Sequence, residues 1–369
     1  MMKDPGKKRW GDYLFKERGR WGIVELLLFP FLIISWIYGL VVWIRTKFYQ
    51  KGLQLPCKVI SVGNITLGGT GKTPMVAYLA GELRKRGVKA GILSRGYKGL
   101  KERKGGVLSD GEKIYLTPAE AGDEPFMLAK MLSGVPLLVG KNRYAMGLYA
   151  HEKFGIDVLI LDDGFQHLGI KRDLDIVLID ARSGFGNGCL FPRGPLREPL
   201  RGLRRASLFV LSKAEPSQPL GEIEGILRDL APAVPLYHSR YKPIYLLEAA
   251  SGKIFPPQFV HGKRILAFAG IADPEYFIYL LQGLGAAVVK EVRFPDHHNY
   301  APKDLRMMRE YIDKVEVFVT TEKDFVKLQK IPLDDLPLLI LGIAQEILEA
   351  EAFYQTVLSA LFLNSIIDI

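Results

Sequence analysis

The sequence predicts an α/β protein with a mostly parallel sheet, a second, smaller α/β domain and an N-terminal membrane helix. Three features lead to this prediction: a charge-free apolar run near the N-terminus, a glycine-rich turn between a strand and a helix, and an alternation of strand and helix patterns after that turn. The length of 369 residues suits two domains with additional segments. We therefore expect an anchor at residues 1–50, a first domain at 51–240 and a second domain at 241–369.

The apolar run covers residues 26–44 (LLLFPFLIISWIYGLVVWI), and none of its 19 residues is charged. As a helix it would extend about 28 Å, enough to cross the hydrocarbon core of a membrane. Its aromatic residues, together with Arg45 and Lys47 after it, are typical of a retained anchor rather than a cleaved signal peptide. Pro30 leaves open whether such a helix spans the bilayer or enters only one leaflet. A helix buried in a soluble core is the alternative.

The net charge of +10 is concentrated at the N-terminus. Residues 1–58 contain 11 of the 50 Lys and Arg residues but only 4 of the 40 Asp and Glu residues. Because these charges flank the apolar run, they indicate contact with anionic lipid head groups, and we expect no nucleic acid as a partner. Five arginines in residues 193–205 could also lie against a bilayer surface, or could form a solvated basic loop. Two cysteines provide no disulfide framework, which suits a reducing compartment.

The glycine-rich turn is VGNITLGGTGKTP, residues 62–74, between a predicted strand at 57–63 and a predicted helix at 73–86. This placement and the G-K-T ending are typical of a phosphate-binding P-loop, although Thr66 replaces the first glycine of the usual G-x-x-x-x-G-K-[ST] pattern. We therefore predict a P-loop NTPase-like fold for the mostly parallel sheet. The alternative interpretation is a plain glycine-rich turn that caps a helix.

The residues of this turn provide the groups that nucleotide binding requires. Gly68, Gly69 and Gly71 allow backbone N–H groups to surround a phosphate. Lys72 can reach the terminal phosphates, and Thr73 offers a hydroxyl to magnesium. Because the nucleotide is a cytosolic ligand, we expect the bulk of the chain to lie in the cytoplasm.

An apolar run at residues 156–161 ends in Asp162 and Asp163. A buried strand that ends in carboxylates fits a Walker-B strand, which delivers a carboxylate to the magnesium ion of a P-loop. The pattern leaves open which of the two aspartates touches the metal, and an acidic pair can also be a simple turn signal.

Strand and helix patterns alternate on both sides of a proline-punctuated stretch at residues 216–243, which we interpret as a domain boundary. Such alternation favours a mostly parallel sheet with ligands at the carboxyl ends of its strands. A helical pattern covers residues 119–132. The predicted strands lie at 88–94, 135–139, 156–161, 174–179 and 207–211 and, after the boundary, at 264–269, 286–292, 315–320 and 337–341.

Seven short motifs follow one another along the chain: GNITLGGTGKTP (63–74), LSRGY (93–97), GDEP (122–125), LDDGFQH (161–167), GPLREP (194–199), FPDHHNY (294–300) and TEKD (321–324). This ordered set resembles the tetraacyldisaccharide 4'-kinase family, the lipid A 4'-kinases of Gram-negative bacteria. In that family the position of Thr66 is commonly not glycine. The resemblance implies transfer of a phosphoryl group from ATP to the 4'-hydroxyl of a tetraacylated glucosamine disaccharide 1-phosphate. It places the reaction at the cytoplasmic face of the inner membrane and implies no protein partner.

The resemblance also implies roles for individual residues. It pairs Asp123 with His297, so that the carboxylate accepts the hydroxyl proton, and the pairing would require closure of a cleft because His297 lies in the second predicted domain. Substrate contacts are implied for Arg143, Arg197 and Glu198, and Mg²⁺ contacts for Thr73, Asp162 and Asp163. ATP contacts are implied for Asn64, Gly68, Gly69, Thr70, Gly71, Lys72, Thr73, Arg95, Tyr97, Gln166 and His167, with Lys72 also catalytic.

Two other classes of ATPase also contain a P-loop. A switch ATPase of the partitioning type carries an additional lysine just before the paired glycines, and this position is Leu67 here. A transporter-coupled ATPase carries a signature sequence for its partner nucleotide domain, and the chain has no such signature. TEKD has its lysine one place later than the base-reading N-K-x-D of GTPases, so it does not indicate guanine specificity.

Overall fold

The computed structural model of the chain describes residues 23–48, 52–215, 218–296, 298–329, 331–333 and 336–362. Its helices are α1 (Ile23–Phe48), α2 (Lys72–Lys85), α3 (Pro118–Ala121), α4 (Asp123–Met131), α5 (Arg143–Phe154), α6 (Gly221–Leu230), α7 (Pro274–Gly283), α8 (Pro302–Arg309), α9 (Glu322–Leu328) and α10 (Ala350–Phe362). Its strands are β1 (Lys58–Asn64), β2 (Ala90–Ser94), β3 (Gly106–Ser109), β4 (Leu137–Val139), β5 (Val158–Asp162), β6 (Leu174–Asp180), β7 (Leu208–Ser212), β8 (Leu236–Glu248), β9 (Ile254–Phe255), β10 (Arg264–Ala269), β11 (Ala287–Arg293), β12 (Val317–Thr321) and β13 (Leu338–Ile347).

The first of two compact units contains the described residues within 23–72, 143–240 and 347–362. Its strands form a parallel sheet in the order β8–β7–β6–β1–β5. Every residue of β5, β6 and β7 is buried. This burial explains why these strands read as nearly continuous apolar runs, since a parallel sheet is covered on both faces. The carboxyl ends of β5, β1 and β6 consequently lie side by side.

The second unit contains the described residues within 73–142 and 241–346. In one part of it β2 pairs with β4 in parallel, and β3 pairs with β4 antiparallel. In another part β11, β10, β12 and β13 form a parallel sheet in that order. Helix α4 packs against helix α9 within this unit. The packing brings the GDEP motif and the TEKD motif together, although about 200 residues separate them in the chain.

Helix α1 is long and apolar enough to cross a membrane over Leu28–Phe48, by length and composition. One edge of α1 contacts the rest of the first unit: the Ser35 hydroxyl donates to the Leu190 carbonyl at 2.8 Å, and the Tyr38 hydroxyl donates to the Arg197 carbonyl at 2.8 Å. Most of the remaining helix surface is exposed, with Trp36 71% accessible. The alternative of a helix buried in a soluble core is therefore wrong.

One predicted element is divided in two in the structure. The helical pattern at 119–132 forms two helices because Gly122 has φ +92°, a conformation that residues with a side chain rarely adopt. The stretch at 216–243, predicted as a domain boundary, contains α6 and the start of β8, and the division between the compact units after Arg240 falls within it. The compact units also group residues 73–142 with 241–346, whereas the predicted domains are 51–240 and 241–369. The predicted domain division therefore stays a prediction.

Candidate active site

The P-loop joins the end of β1 to the start of α2. Strand β1 pairs in parallel with β5, and Val62 lies in register with Asp162. Because the strands are parallel, the end of β1 and the acidic pair after β5 lie at the same edge of the sheet. The structure thus brings together the two motifs that the sequence links to a nucleotide and its metal ion.

The backbone of the loop explains why Thr66 can replace a glycine. Thr66 forms an antiparallel bridge with Leu196, and the Leu67 N–H donates to the Pro195 carbonyl at 2.7 Å. The extended backbone of such a bridge is open to any residue. The conformation that favours glycine comes later in the loop, at Gly68 with φ +111° and Gly71 with φ +87°. Glycine is therefore needed in the second half of the loop rather than at position 66.

Lys72 is held at the base of the loop by two oxygen-bearing side chains. Its Nζ donates to Asn64 Oδ1 at 3.2 Å and lies 3.5 Å from Asp163 Oδ1. Arg197 Nη1 donates to both oxygens of the same Asp163 carboxylate, at 2.8 and 2.9 Å. One carboxylate therefore contacts two cations at the end of β1, an arrangement suited to neutralising the charge of terminal phosphates.

The Asp163 carboxylate stays ionised at neutral pH. Burial alone would raise the pKa of Asp163, but the positive charges of Lys72, Arg197 and Arg143 outweigh that effect and hold the pKa at about 2. Asp163 also has φ +51°, in the left-handed region that aspartate tolerates better than most residues. Residues held in such sparsely populated backbone conformations cluster at functional sites.

Arg143 holds the backbone of the turn that contains Asp162 and Asp163. Its side chain is buried, and its guanidinium donates to the backbone carbonyls of Asp162 at 3.0 Å and Asp163 at 3.1 Å. These bonds fix the backbone of the turn that presents both carboxylates. The described contacts therefore give Arg143 a supporting position, whereas the substrate contact predicted for it stays a prediction.

Gln166 and Glu198 form a second supporting chain of hydrogen bonds. The Gln166 amide donates to the Asn64 carbonyl at 2.8 Å and to Glu198 Oε1 at 2.9 Å. Glu198 is buried, and its other oxygen accepts from Arg205 Nη2 at 2.8 Å. The chain ties the end of β1 to the LREP segment. Since both Glu198 oxygens are engaged, its described position again supports the site.

His167 carries no charge at neutral pH. Burial lowers the pKa of His167, and the nearby charges of Arg143, Arg45 and Arg172 lower it further, to about 4. A neutral imidazole can donate or accept a hydrogen bond but cannot neutralise a phosphate. Any contact of His167 with a nucleotide would therefore be polar rather than ionic.

Thr70 shows that the loop fits a phosphate group. The residue is buried, and its hydroxyl oxygen has no hydrogen-bond partner among the described residues. Its backbone carbonyl accepts from the Ser212 hydroxyl at 2.8 Å, which fixes the loop from β7. An oriented hydroxyl without a partner in a glycine-rich turn is a donor that a phosphate oxygen would satisfy.

The residues present also fit magnesium. The described residues contain no cluster of three or more His, Cys, Asp or Glu side chains that could hold a metal by themselves. A magnesium ion at a phosphate site, however, needs only one or two protein oxygens, because phosphates and waters complete its shell. Thr73, the second residue of α2, and Asp162, the buried last residue of β5, offer such oxygens. When bound, the ion would neutralise charge on the transferred phosphoryl group.

The second unit contains the other predicted residues. Asp123 is the first residue of α4, where a carboxylate is stabilised by the helix dipole. Its neighbour Glu124 accepts from Lys323 of the TEKD motif at 3.0 Å, and Lys323 also lies 3.4 Å from Asp296. His297 lies outside the described residues. Asp123 and the described residues on either side of position 297 belong to one compact unit, and the predicted division between domains stays a prediction.

Arg95 and Tyr97 follow β2 in the second unit. Arg95 Nε donates to Glu102 Oε1 at 2.7 Å, and its guanidinium lies over the Tyr97 ring. Both side chains are exposed, so they are accessible to a ligand, and their predicted ATP contacts stay predictions.

Several contacts of the site involve side chains for which the sequence predicts no role there. Ser212 fixes the P-loop, Arg205 engages Glu198, and α1 reaches the site through Tyr38 and Arg45, whose guanidinium donates to the Gln166 carbonyl at 2.7 Å. The only local signal for Ser212 is its position as the last residue of β7. Arg205 lies only seven residues after Glu198. The two contacts of α1 join residues 159 and 121 positions apart in the chain, so no local pattern could have revealed them.

Comparison with known proteins agrees with the geometry of the site. A family model described as "LpxK: Tetraacyldisaccharide-1-P 4'-kinase" matches residues 25–362. A tetraacyldisaccharide 4'-kinase of Syntrophus aciditrophicus (strain SB) is 41% identical over 340 residues, which is 88% of this chain and 91% of the relative. The enzyme of the same name from Desulfatibacillum aliphaticivorans is 42% identical over 335 residues, covering 87% of this chain and 89% of the relative.

A solved structure is similar over nearly the whole chain. It is the "apo" form of LpxK from Aquifex aeolicus in complex with ATP, with 31% sequence identity and a TM-score of 0.69. The similarity covers 92% of this chain and 100% of that one. The predicted fold class, a P-loop-type α/β fold with a mostly parallel sheet, is thereby confirmed. With a family model and close relatives that both extend over most of its length, the chain belongs to the tetraacyldisaccharide-1-phosphate 4'-kinase family.

Proposed function

We propose that the chain transfers the γ-phosphoryl group of ATP to the 4'-hydroxyl of a tetraacylated glucosamine disaccharide 1-phosphate, a step of lipid A biosynthesis. The observation that carries the proposal is the Asp163 carboxylate in contact with both the P-loop lysine Lys72 and Arg197, in a chain that matches this kinase family along residues 25–362. A switch ATPase has no use for an acylated sugar phosphate, so dependence on that acceptor separates the two classes.

The nucleotide is assigned to the P-loop. Backbone N–H groups around Gly68, Gly69 and Gly71 and the Thr70 hydroxyl would surround the phosphates, with Lys72 on the terminal one. Asn64 holds the Lys72 ammonium in place at 3.2 Å. Lys72 can leave Asp163 for a phosphate at low cost, since Arg197 still neutralises that carboxylate.

For the metal ion we assign Asp162 and Thr73. Asp163 contacts Lys72 and Arg197, so its charge is already balanced, whereas the buried Asp162 ends β5 in register with Val62 of the strand that leads into the P-loop. The hydroxyl and carboxylate are hard oxygen donors, the type that magnesium prefers.

Replacing Asp162 by asparagine should raise the Mg²⁺ concentration for half-maximal activity by at least about tenfold, because an amide oxygen binds the ion more weakly. Asp163→Asn is the matched control one residue later, and it should leave that concentration within a few-fold. Mg²⁺ titrations of activity and of ATP-analogue binding measure both variants. An equal Mg²⁺ dependence of the two variants would contradict this assignment.

The proton of the 4'-hydroxyl is assigned to Asp123, with His297 as its partner. Asp123 begins α4 directly after Gly122, whose φ of +92° turns the chain at that point. The helix dipole favours negative charge at a helix start, which suits a carboxylate that accepts a proton. Arg197 and the neighbouring basic segment are assigned to the acceptor's polar head.

The acyl chains of the acceptor have a matching surface in the first unit. A groove of about 760 Å³ lies between α1 and residues 188–205. It is lined by apolar residues such as Leu32, Trp36 and Leu200 and also by the charged residues Glu198, Arg201 and Arg205. A mostly apolar groove that includes charged side chains suits a ligand with acyl chains and a polar head.

Helix α1 is proposed as the attachment to the inner membrane, with the catalytic residues on the cytoplasmic face where ATP is available. Ile33, Ile37, Leu40 and Ile44 follow one another at helical spacing on α1 and are all between 40% and 59% exposed. Such an apolar stripe gains free energy by entering the bilayer. The proposal leaves spanning and one-sided insertion as alternatives.

Replacing Ile37 and Leu40 together by serine should weaken partitioning into anionic vesicles by at least about tenfold, since both exposed side chains lose apolar area. The kcat on micellar acceptor should stay within a few-fold because neither residue contacts the site. Tyr38→Phe is the reciprocal control: it removes the bond to the Arg197 carbonyl and should leave partitioning unchanged. Sedimentation with vesicles measures partitioning. Full sedimentation of the double variant would assign attachment to another surface, such as residues 193–205.

The test of the function itself is phosphate transfer in mixed micelles. The wild-type chain is incubated with γ-labelled ATP, Mg²⁺ and a synthetic tetraacyl disaccharide 1-phosphate, and we expect label in the lipid. An acceptor that lacks the 4'-hydroxyl is the matched control and should remain unlabelled. ATP turnover that does not depend on the lipid would favour a switch ATPase, and label in the control acceptor would refute the 4' position.

A further inference from the structure

The TEKD motif lies at the start of α9 in the second unit, and three of its residues fix this helix to its surroundings. Thr321 caps the helix, and its hydroxyl oxygen accepts from the Asp324 N–H. Asp324 is fully buried and accepts from the Gly270 N–H at 3.1 Å. Glu322 accepts from the Tyr245 hydroxyl at 2.5 Å. These bonds hold the first turn of α9 rigidly, and the remaining residue of the motif is Lys323.

Lys323 joins two segments that the proposed reaction uses. Its Nζ lies 3.0 Å from Glu124 Oε1 and 3.4 Å from Asp296 Oδ1. Glu124 directly follows Asp123, and Asp296 directly precedes residue 297. One ammonium group therefore contacts the immediate neighbours of both residues to which proton transfer is assigned.

The surroundings make this contact stronger than an ordinary surface ion pair. The Lys323 side chain is only 20% exposed. Burial lowers the pKa of Lys323, but Glu124 and Asp296 outweigh that effect and leave the pKa above its usual value. The lysine is therefore charged at neutral pH, and partial burial reduces the screening that weakens exposed pairs.

A second lysine, Lys327, lies one turn further along α9. It is buried, and its Nζ has no hydrogen-bond partner among the described residues. Burial is the largest effect and leaves the pKa of Lys327 below its usual value, and the charge of Lys323 acts in the same direction, while the acidic groups Asp324, Asp123 and Asp296 oppose it. Two lysines of α9 therefore interact electrostatically with acidic groups of the GDEP and PDHH segments.

We propose that Lys323 is a positioning residue of the phosphoryl transfer, which holds the Asp123 segment and the segment that ends at Asp296 in one arrangement through Glu124 and Asp296. The inference rests on the proposed function. It gives TEKD a role in the reaction without any contact with the nucleotide base. A displacement of about 1 Å can cost a hundredfold in rate, so a fixed spacing between the two segments directly affects proton transfer.

The test compares Lys323→Met with wild type on the micellar lipid acceptor. We expect kcat to fall by at least about tenfold, with ATP-analogue affinity and the KM for the acceptor within a few-fold of wild type. Lys323→Arg keeps the charge and should recover most of the activity. Lys85→Met is the matched control, since Lys85 pairs with Glu82 at 2.7 Å at the far end of α2, and it should be unaffected.

A merely structural role is separated by two further measurements. Glu124→Gln and Asp296→Asn each remove one of the two contacts and leave Lys323 in place, so each should lower kcat by less than Lys323→Met. In an Asp123→Asn background, Lys323→Met should add little further loss, because both changes act on one step. Thermal unfolding of each variant shows whether the fold is intact, and the two carboxylate variants carry the test if Lys323→Met does not fold.

Three results would overturn the inference. The first is an unchanged kcat in Lys323→Met, and the second is a full additional loss in the Asp123→Asn background. A loss of ATP-analogue affinity as large as the loss of kcat would overturn it as well. Absence of lipid phosphorylation by the wild-type chain is a different result, since it refutes the proposed function and the inference with it. Wild-type transfer together with an active Lys323→Met variant refutes the inference alone.

Discussion

Replacing Lys72 by alanine should lower kcat/KM by at least about a hundredfold, equivalent to about 3 kcal/mol of transition-state stabilisation. The Lys72 ammonium is held at 3.2 Å from Asn64 Oδ1 and 3.5 Å from Asp163 Oδ1 at the start of α2. Arg197 is bound to both oxygens of Asp163 and cannot move to the terminal phosphate without breaking those bonds. The P-loop would therefore lose the cation that neutralises the transferred group.

The measurement is lipid phosphorylation under subsaturating acceptor, with ATP-analogue binding measured beside it. Lys85→Ala is the matched control, because it makes the same substitution at the last residue of the same helix and should retain wild-type activity. Thermal unfolding should be little changed in both variants. A Lys72→Ala variant with nearly normal transfer would remove the basis for assigning the nucleotide to this loop.

Replacing Asp123 by asparagine should lower kcat by about a hundredfold or more while ATP-analogue affinity stays within a few-fold. Asparagine keeps the shape of the side chain but cannot accept a proton. Binding of ATP depends on the P-loop and Mg²⁺ and does not require the base. The variant therefore separates the chemical step from nucleotide binding.

His297→Ala should act on the same step. If Asp123 and His297 work as a unit, the double variant should be little slower than the slower single variant. Glu124→Gln removes a neighbouring carboxylate without removing the base, so it should lower kcat by less than Asp123→Asn. Loss of ATP-analogue binding in Asp123→Asn would instead indicate a structural or metal-related role, and the base would have to be another residue.

Much of the fold could be predicted from local sequence. The buried strands β1, β5, β6 and β7 were predictable because a strand covered on both faces is a continuous apolar run. The helix that follows the P-loop, α2, was predictable because glycines and a lysine precede an amphipathic pattern. The prediction of family membership is confirmed, since an ordered set of motifs is far more specific than any one of them.

Local patterns did not show where two elements begin or end. The proline-punctuated stretch predicted as a boundary at 216–243 also contains the start of β8, which pairs in parallel with Phe209, Val210 and Leu211 of β7. The helical pattern at 119–132 continues across Gly122, but the backbone turns there with φ +92°. Local propensity is weaker than pairing with an existing sheet, so tertiary structure prevails in such places.

The amino-acid sequence by itself determined which residues carry chemistry and which elements present them: a lysine after glycines at a strand end, paired aspartates after an apolar run, and an exposed apolar helix. The tertiary structure alone decided what each charge contacts. It placed Arg197 on Asp163, Arg143 behind the acidic turn and Lys323 between Glu124 and Asp296. The physical reason is that a hydrogen bond or ion pair depends on distances of about 3 Å, and only the folded chain brings residues far apart in sequence to that distance.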